Sequence, residues 1–231
     1  MKEKRMDKLE LAKKYAPYIY FDELEPFFPE RVGYHFHMES GQSVSADHVL
    51  KFDKGKVQYV IEYSISWYYD IQHLYELEQI WVYVDYDGKV VDADGSSHGG
   101  TLKALFRDKR NIADGTHVVI YSQPGKHAFC PIENYFELVP NVYEVADELV
   151  GKDGLLVTDL FKDALSTNDE INTLVRDYMQ RFRFVPSFRY KRYQIPEELF
   201  LPWEQLKKEI PLMMEEELRN IGYKGPSPLK A

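Results

Sequence analysis

The segment His73-Leu74-Tyr75-Glu76-Leu77-Glu78 joins one imidazole to two carboxylates and runs straight into Gln79-Ile80-Trp81-Val82-Tyr83-Val84. The second half is rich in β-branched and aromatic residues and predicts a buried strand. Side chains alternate along a strand, so Glu76 and Glu78 share the face of Ile80, Val82 and Val84. Two carboxylates thus extend an apolar face, and His73 is expected on the turn that leads in. Burying a bare carboxylate is strongly unfavourable, so a cation should meet it: a metal ion, a protonated His or an Arg. Two further segments place a His after a β run, His98 in Ser96-Ser97-His98-Gly99-Gly100 and His127 in Gly125-Lys126-His127-Ala128. Imidazole plus carboxylate is a common ligand set for divalent metals. His73, Glu76, Glu78, His98 and His127 are therefore the candidate ligands of Mg²⁺, Ca²⁺, Mn²⁺ or Zn²⁺, with no organic cofactor expected. A buried His–Glu network accounts for the same residues without metal. Each His taken singly reads as an ordinary loop or core residue.

Other features point less firmly to chemistry. Gly99-Gly100 and Gly125 serve tight turns first, and no Walker-type spacing accompanies them. Cys130, among Ala128, Phe129 and Pro131, reads as a buried small residue rather than a nucleophile. Asp92 and Asp94 flank a hairpin and are expected to be solvated. The basic stretch Arg181-Phe182-Arg183-Phe184 with Arg189, Lys191 and Arg192 reads as a solvated face or as internal pairing within an acidic chain.

These residues need strands to hold them. Val57 to Trp67 alternates cleanly, with Val57, Tyr59, Ile61, Tyr63, Ile65 and Trp67 on one face and mainly polar residues on the other. Strands at 79–86 and 89–94 joined through Asp87-Gly88 read as a hairpin. Ala16–Phe21 and Thr116–Ser122 are further β runs. A short helix is expected from Asp7 to Tyr15. After about residue 140 the character changes: 141–149, 168–182 and 203–218 carry helical periodicity. Asn168 is a plausible cap, and Pro202 suits a helix start. The expected fold class is mainly β, a β-sandwich with C-terminal helices, α+β overall. The expected organisation is one domain over 1–231, with a sandwich core at about 15–135 and a helical region at about 140–220.

Composition bounds the function. Of 231 residues, 15% are aromatic and 18 are Tyr, which favours β structure over a helical bundle. The formal net charge of -9 argues against nucleic-acid binding by phosphate neutralisation. With Cys130 as the single cysteine, neither an intrachain disulfide nor a cysteine-based zinc site can form. The charged stretch Met1–Asp7 lacks the apolar region of a signal peptide. No apolar run approaches the ~20 residues of a membrane span. A soluble, cytoplasmic protein is the expectation.

Three motifs together resemble the vacuolar protein sorting-associated protein 62-like family and, more remotely, the necrosis- and ethylene-inducing peptide (Nep1-like) cytolysins. The first is Tyr15-Ala16-Pro17 followed by the acidic, proline-ended Glu25-Pro26-Phe27-Phe28-Pro29. The second is a His-x-x-Asp-Trp-Glu-like element, here His73 to Glu78, followed by Ser96-Ser97-His98-Gly99. The third runs from Ile120-Tyr121 to His127-Ala128. The resemblance spans roughly residues 15–135 and implies a β-sandwich. In the cytolysins the His, Asp and Glu of the second element help to form a divalent-cation site in an acidic cavity; by motif position these are His73, Glu76 and Glu78. The Asp is replaced here by Glu76 and the Trp by Leu77. Those cytolysins are secreted and usually disulfide-bonded, so membrane lysis is not implied for this chain. The vacuolar-sorting-like group implies no established activity.

The leading expectation is a cytoplasmic β-sandwich with a cation-dependent cavity. Its ligand would be a sugar, lipid headgroup or phosphate, with Tyr and Trp along the walls. A metal-dependent hydrolase is the alternative, with Glu76, Glu78 or His127 as base. A third reading is a non-enzymatic interaction module whose partner surface is the C-terminal helices.

Overall fold

The computed structural model describes residues 7–97 and 99–230. Two β-sheets pack face to face. The larger sheet contains β2 (Arg31–His37), β5 (Tyr59–Asp70), β6 (His73–Val84), β7 (Val90–Ser97), β8 (Gly100–Lys103), β12 (Gly154–Leu155) and β14 (Phe200–Pro202). Its order is β14-β2-β5-β6-β7-β8, with β12 pairing β6 in parallel. The smaller sheet contains β1 (Tyr18–Asp22), β9 (Ile112–Ala113), β10 (His117–Ser122), β11 (Phe129–Cys130) and β13 (Tyr190–Tyr193), in the order β11-β10-β1-β13 with β9 on β10. A separate ribbon pairs β3 (Gly41–Gln42) with β4 (Val49–Leu50). The helices are α1 (Lys8–Tyr15), α2 (Val142–Ala146), α3 (Asp169–Met179) and α4 (Trp203–Asn220).

The core forms where the inner faces meet. Ile61, Tyr63, Ile65 and Trp67 of β5 and Ile80 and Val82 of β6 share one apolar cluster with Ile19 and Phe21 of β1 and Val118 and Ile120 of β10. Gly95 marks the closeness of the sheets: a Cβ there would lie 3.1 Å from Phe129 Cβ and 3.2 Å from Ile120 Cδ1. The region after residue 140 does more than flank this sandwich, because β12, β13 and β14 extend both sheets. Asn168 caps α3 by accepting from the Ile171 amide at 2.9 Å. Among the described residues no helix is long and apolar enough to cross a membrane.

The outer face of β5, mainly polar in sequence, is buried. Val60, Glu62, Ser64 and Ser66 are all 0% exposed. The excursion carrying β3 and β4 covers them, with a second small cluster of Leu50, Val57, Val60, Trp81 and Tyr83. Glu62 is tolerated there because donors surround it: His37 Nε2 at 2.7 Å, Ser43 Oγ at 2.8 Å, and the Val44 and Ser45 amides at 3.2 and 3.1 Å. Burial pushes the Glu62 carboxyl up, but these hydrogen bonds outweigh it and hold it below 4.5.

Candidate functional site

The β5–β6 hairpin closes through the two residues Ile71 and Gln72, so Asp70 and His73 stand directly opposite. His73 is thus the first residue of β6 rather than part of a preceding turn. The Gln123–Ala128 turn that links β10 to β11 docks on this hairpin tip: the Ile71 amide donates to the Gly125 carbonyl at 2.7 Å. Gly125 has φ +70, and a Cβ would lie 2.9 Å from Ile71 Cβ, so glycine is required at this approach. The docking carries Lys126 to Asp70, its Nζ 2.8 Å from both carboxylate oxygens. On the far side the Gly151 and Asp153 amides donate to the Ile71 and Gln72 carbonyls, at 2.9 and 3.0 Å. The tip is therefore enclosed, and Asp70 is 0% exposed.

Tyr75 has φ +78, a left-handed conformation uncommon outside glycine. His73 Nδ1 lies 2.9 Å from the Tyr75 carbonyl, which can only accept, so Nδ1 carries the proton. In the neutral ring Nε2 then keeps a bare lone pair. That nitrogen lies 3.5 Å from Asp70 Oδ1 and 3.8 Å from Glu76 Oε2. One donor atom each from Asp70, His73 and Glu76 falls within 4.8 Å of the other two. Burial drives His73 below 6.5, towards neutrality; Asp70 opposes this and Lys126 reinforces it.

The electrostatics leave negative charge to be balanced. Burial pushes the Asp70 carboxyl up, while His73, Lys126 and His127 pull it down and prevail. The Lys126 ammonium is the dependable part of that pull, since His73 itself tends to neutrality. Glu76 is driven well above 4.5, first by burial and then by Asp70 and Glu78. Glu78 is pushed up to about 7, chiefly by burial, although it accepts from the Ser96 hydroxyl and feels His127. Three enclosed carboxyl groups thus share one ammonium, and the excess charge must be met by protons or by a further cation.

His127 belongs to the same buried region but contacts another carboxylate. It is 0% exposed, stacks on Trp67 at 4.4 Å between centroids, and places Nε2 3.4 Å from Glu25 Oε1. Glu25 is held by the Gly125 amide at 2.8 Å. Of the residues expected from sequence, His73 and Glu76 meet directly, and Glu78 and His127 line the neighbouring interior. His98 lies outside the described residues. Asp70 and Lys126 were not anticipated. The short spacing from Asp70 to His73 between two strands was the signal for the first; Lys126 beside His127 was the signal for the second.

A pocket of about 240 Å³ opens beside Glu76, with Asp47, Tyr75, Thr158 and Asp159 among its walls. Tyrosine is present there but tryptophan is not: Trp67, Trp81 and Trp203 are all buried, at 1% exposure or less. Asp92 and Asp94 are not freely solvated as expected. Both pair with Lys103, at 2.6 and 2.9 Å, and Asp94 also accepts from the Tyr83 hydroxyl at 2.8 Å. The basic stretch is largely paired internally, Arg189 and Lys191 with Glu23 and Arg183 with Asp147. Cys130 is buried.

No protein-family model and no curated protein matches the chain, so the vacuolar-sorting-like resemblance finds no counterpart. Similar solved structures include one described as "NLPPya in complex with glucosamine", with 16% identity, 60% of this chain and 77% of that chain covered, and a TM-score of 0.38. Another, "NLPPya in complex with mannosamine", has 15% identity, the same coverage and a TM-score of 0.37. A third, "Toxin fold for microbial attack and plant defense", has 18% identity, covers 52% of this chain and 66% of that chain, and has a TM-score of 0.36. These are Nep1-like toxin structures, the more remote of the two resemblances. At these scores the likeness is partial.

Proposed function

We propose that this chain is a single-domain, cytoplasmic protein that binds a small ligand with the help of a divalent cation held by Asp70, His73 and Glu76. The carrying observation is the lone pair on His73 Nε2, which lies 3.5 Å from Asp70 Oδ1 and 3.8 Å from Glu76 Oε2. A cation that displaced the Glu76 proton would bind all three donor atoms at once. The spacing suits it: ligand bonds of about 2.0–2.1 Å in a tetrahedral site put donor atoms about 3.4 Å apart. Both oxygens of Asp70 already face Lys126, so the ion would share that carboxylate with the ammonium. Mixed nitrogen and oxygen donors suit Zn²⁺ or Mn²⁺ better than an all-oxygen ion such as Ca²⁺ or Mg²⁺. The ligand would enter by the pocket beside Glu76 and be oxygen-rich, a sugar, headgroup or phosphate, engaging the cation. The lone thiol suits a reducing compartment.

A metal-dependent hydrolase is the second reading, with Glu78, whose carboxyl burial pushes up to about 7, as the base. Elemental analysis of protein purified without chelator, followed by binding and turnover assays with sugars and phosphate esters, tests both. Bound metal with ligand binding that chelator abolishes supports the first reading. Chelator-sensitive turnover moves the assignment to the second. Protein that binds ligand equally well with and without chelator overturns both.

A further inference from the structure

A different cavity, away from the Asp70 cluster, carries a second assignment. It measures about 680 Å³ and lies between β7, β8 and the segments after them. That size is typical of small-molecule sites. Leu102, Leu105, Phe106, Ile132 and Tyr135 supply much of its wall. Ile132 is 50% exposed, so part of this apolar lining is left to solvent. Two cations border it, Lys103 and Arg107. Lys103 is already neutralised by Asp92 and Asp94, at 2.6 and 2.9 Å. Arg107 has no carboxylate partner among the described residues, although the chain carries 38 acidic and 29 basic side chains. The neighbouring Arg110 is occupied by Asp108 and by the Phe106 ring.

We infer that this cavity binds a free long-chain carboxylate, a fatty acid, with its hydrocarbon in the apolar pocket and its carboxylate on Arg107. Arg107 is exposed at the rim of the pocket and its guanidinium is free to take one carboxylate. Its planar fork matches a carboxylate through two parallel hydrogen bonds. The apolar wall gains from covering by hydrocarbon and offers little to a sugar or nucleotide.

Laurate is the probe. Laurate is titrated by calorimetry into wild type, Arg107→Ala and Ile132→Asp. Both substitutions are at exposed positions, and circular dichroism verifies that the folds are retained. The expected result is saturable binding to wild type, weakened about tenfold or more by either substitution. Dodecanol, which lacks the charge, should bind wild type and Arg107→Ala equally. Absence of laurate binding overturns the assignment. So does unchanged binding in Arg107→Ala, or association with anionic lipid vesicles without binding of monomeric laurate; the last would point to a membrane surface instead.

Discussion

Lys126→Met separates a metal site from a simple ion pair. Lys126 places its ammonium 2.8 Å from both oxygens of Asp70, a carboxylate with 0% exposure. Methionine keeps the length and apolar stem of the side chain and removes the charge. Asp70 then faces His73 and Glu76 with its negative charge unmatched. Removing one partner of a buried pair costs about 3–5 kcal/mol. Lys126 is partly solvated, so the lower end applies, about 3 kcal/mol. For a chain of this size that is a fall in melting temperature of roughly 6–12 °C. A divalent cation at Asp70, His73 and Glu76 supplies the missing positive charge. At a hundredfold excess over its dissociation constant it returns about 2.7 kcal/mol, nearly the whole loss. The cation should also bind the variant more tightly than wild type, because the competing ammonium is gone. Urea denaturation of both proteins, in EDTA and with Mn²⁺ or Zn²⁺, measures all of this. A variant as stable as wild type in EDTA would show that Asp70 is not a buried charge. A destabilised variant that no cation rescues would mean that Lys126 and Asp70 form a purely structural pair.

Three further outcomes follow from the same charges. Glu78 has a folded pKa of about 7 against 4.5 unfolded, so the stability linked to its neutral form is present below 4.5 and lost as pH rises through 7. Glu78→Gln should therefore match wild type at pH 4 and exceed it by about 3 kcal/mol at pH 8 in EDTA, as read by urea denaturation. Burial, Asp70 and Glu78 raise the Glu76 carboxyl well above the usual carboxylate range, so cation binding to its protonated form should expel a proton. Titration heats should then vary with the ionisation enthalpy of the buffer, and identical heats in PIPES and Tris would contradict this. Glu62→Ala removes the acceptor for His37, Ser43 and the Val44 and Ser45 amides. It should cost about 3 kcal/mol at pH 7 and speed amide exchange across residues 41–50. Protection unchanged there would show that the cradle does not hold the excursion. Because Glu62 is held below 4.5, its contribution should fade as pH drops through that range.

The parts of this architecture legible in the sequence were those with a strong period. Alternation over 57–67 marked β5, the Asp87-Gly88 pair marked the β6–β7 connection, and Asn168 marked the start of α3. The acidic face of β6 was visible because Glu76 and Glu78 are two residues apart in an apolar run. What escaped notice depended on distant segments. Strands β12, β13 and β14 are two to four residues long and have too little period to register among helices. The burial of Glu62 was hidden because its donors lie 17 to 25 residues away, on the excursion and on β2. Lys126 meets Asp70 only because Gly125 lets one turn seat on another, 56 positions along the chain. Tyr75 gave no sign of its left-handed backbone, yet that residue supplies the carbonyl that fixes the His73 tautomer.

In the proposed site, His73 Nε2 and the carboxylates of Asp70 and Glu76 hold one divalent ion. Isothermal titration of EDTA-treated, dialysed protein with Mg²⁺, Ca²⁺, Mn²⁺ and Zn²⁺ tests it directly, alongside His73→Ala and Glu76→Gln with folds verified by circular dichroism. Wild type should show one saturable site for at least one of the four ions, strongest for Zn²⁺ or Mn²⁺ and lost or greatly weakened in both variants. Wild-type protein that binds none of the four, or variants that bind as wild type does, would contradict it and leave a metal-free His–Asp–Glu–Lys network in its place.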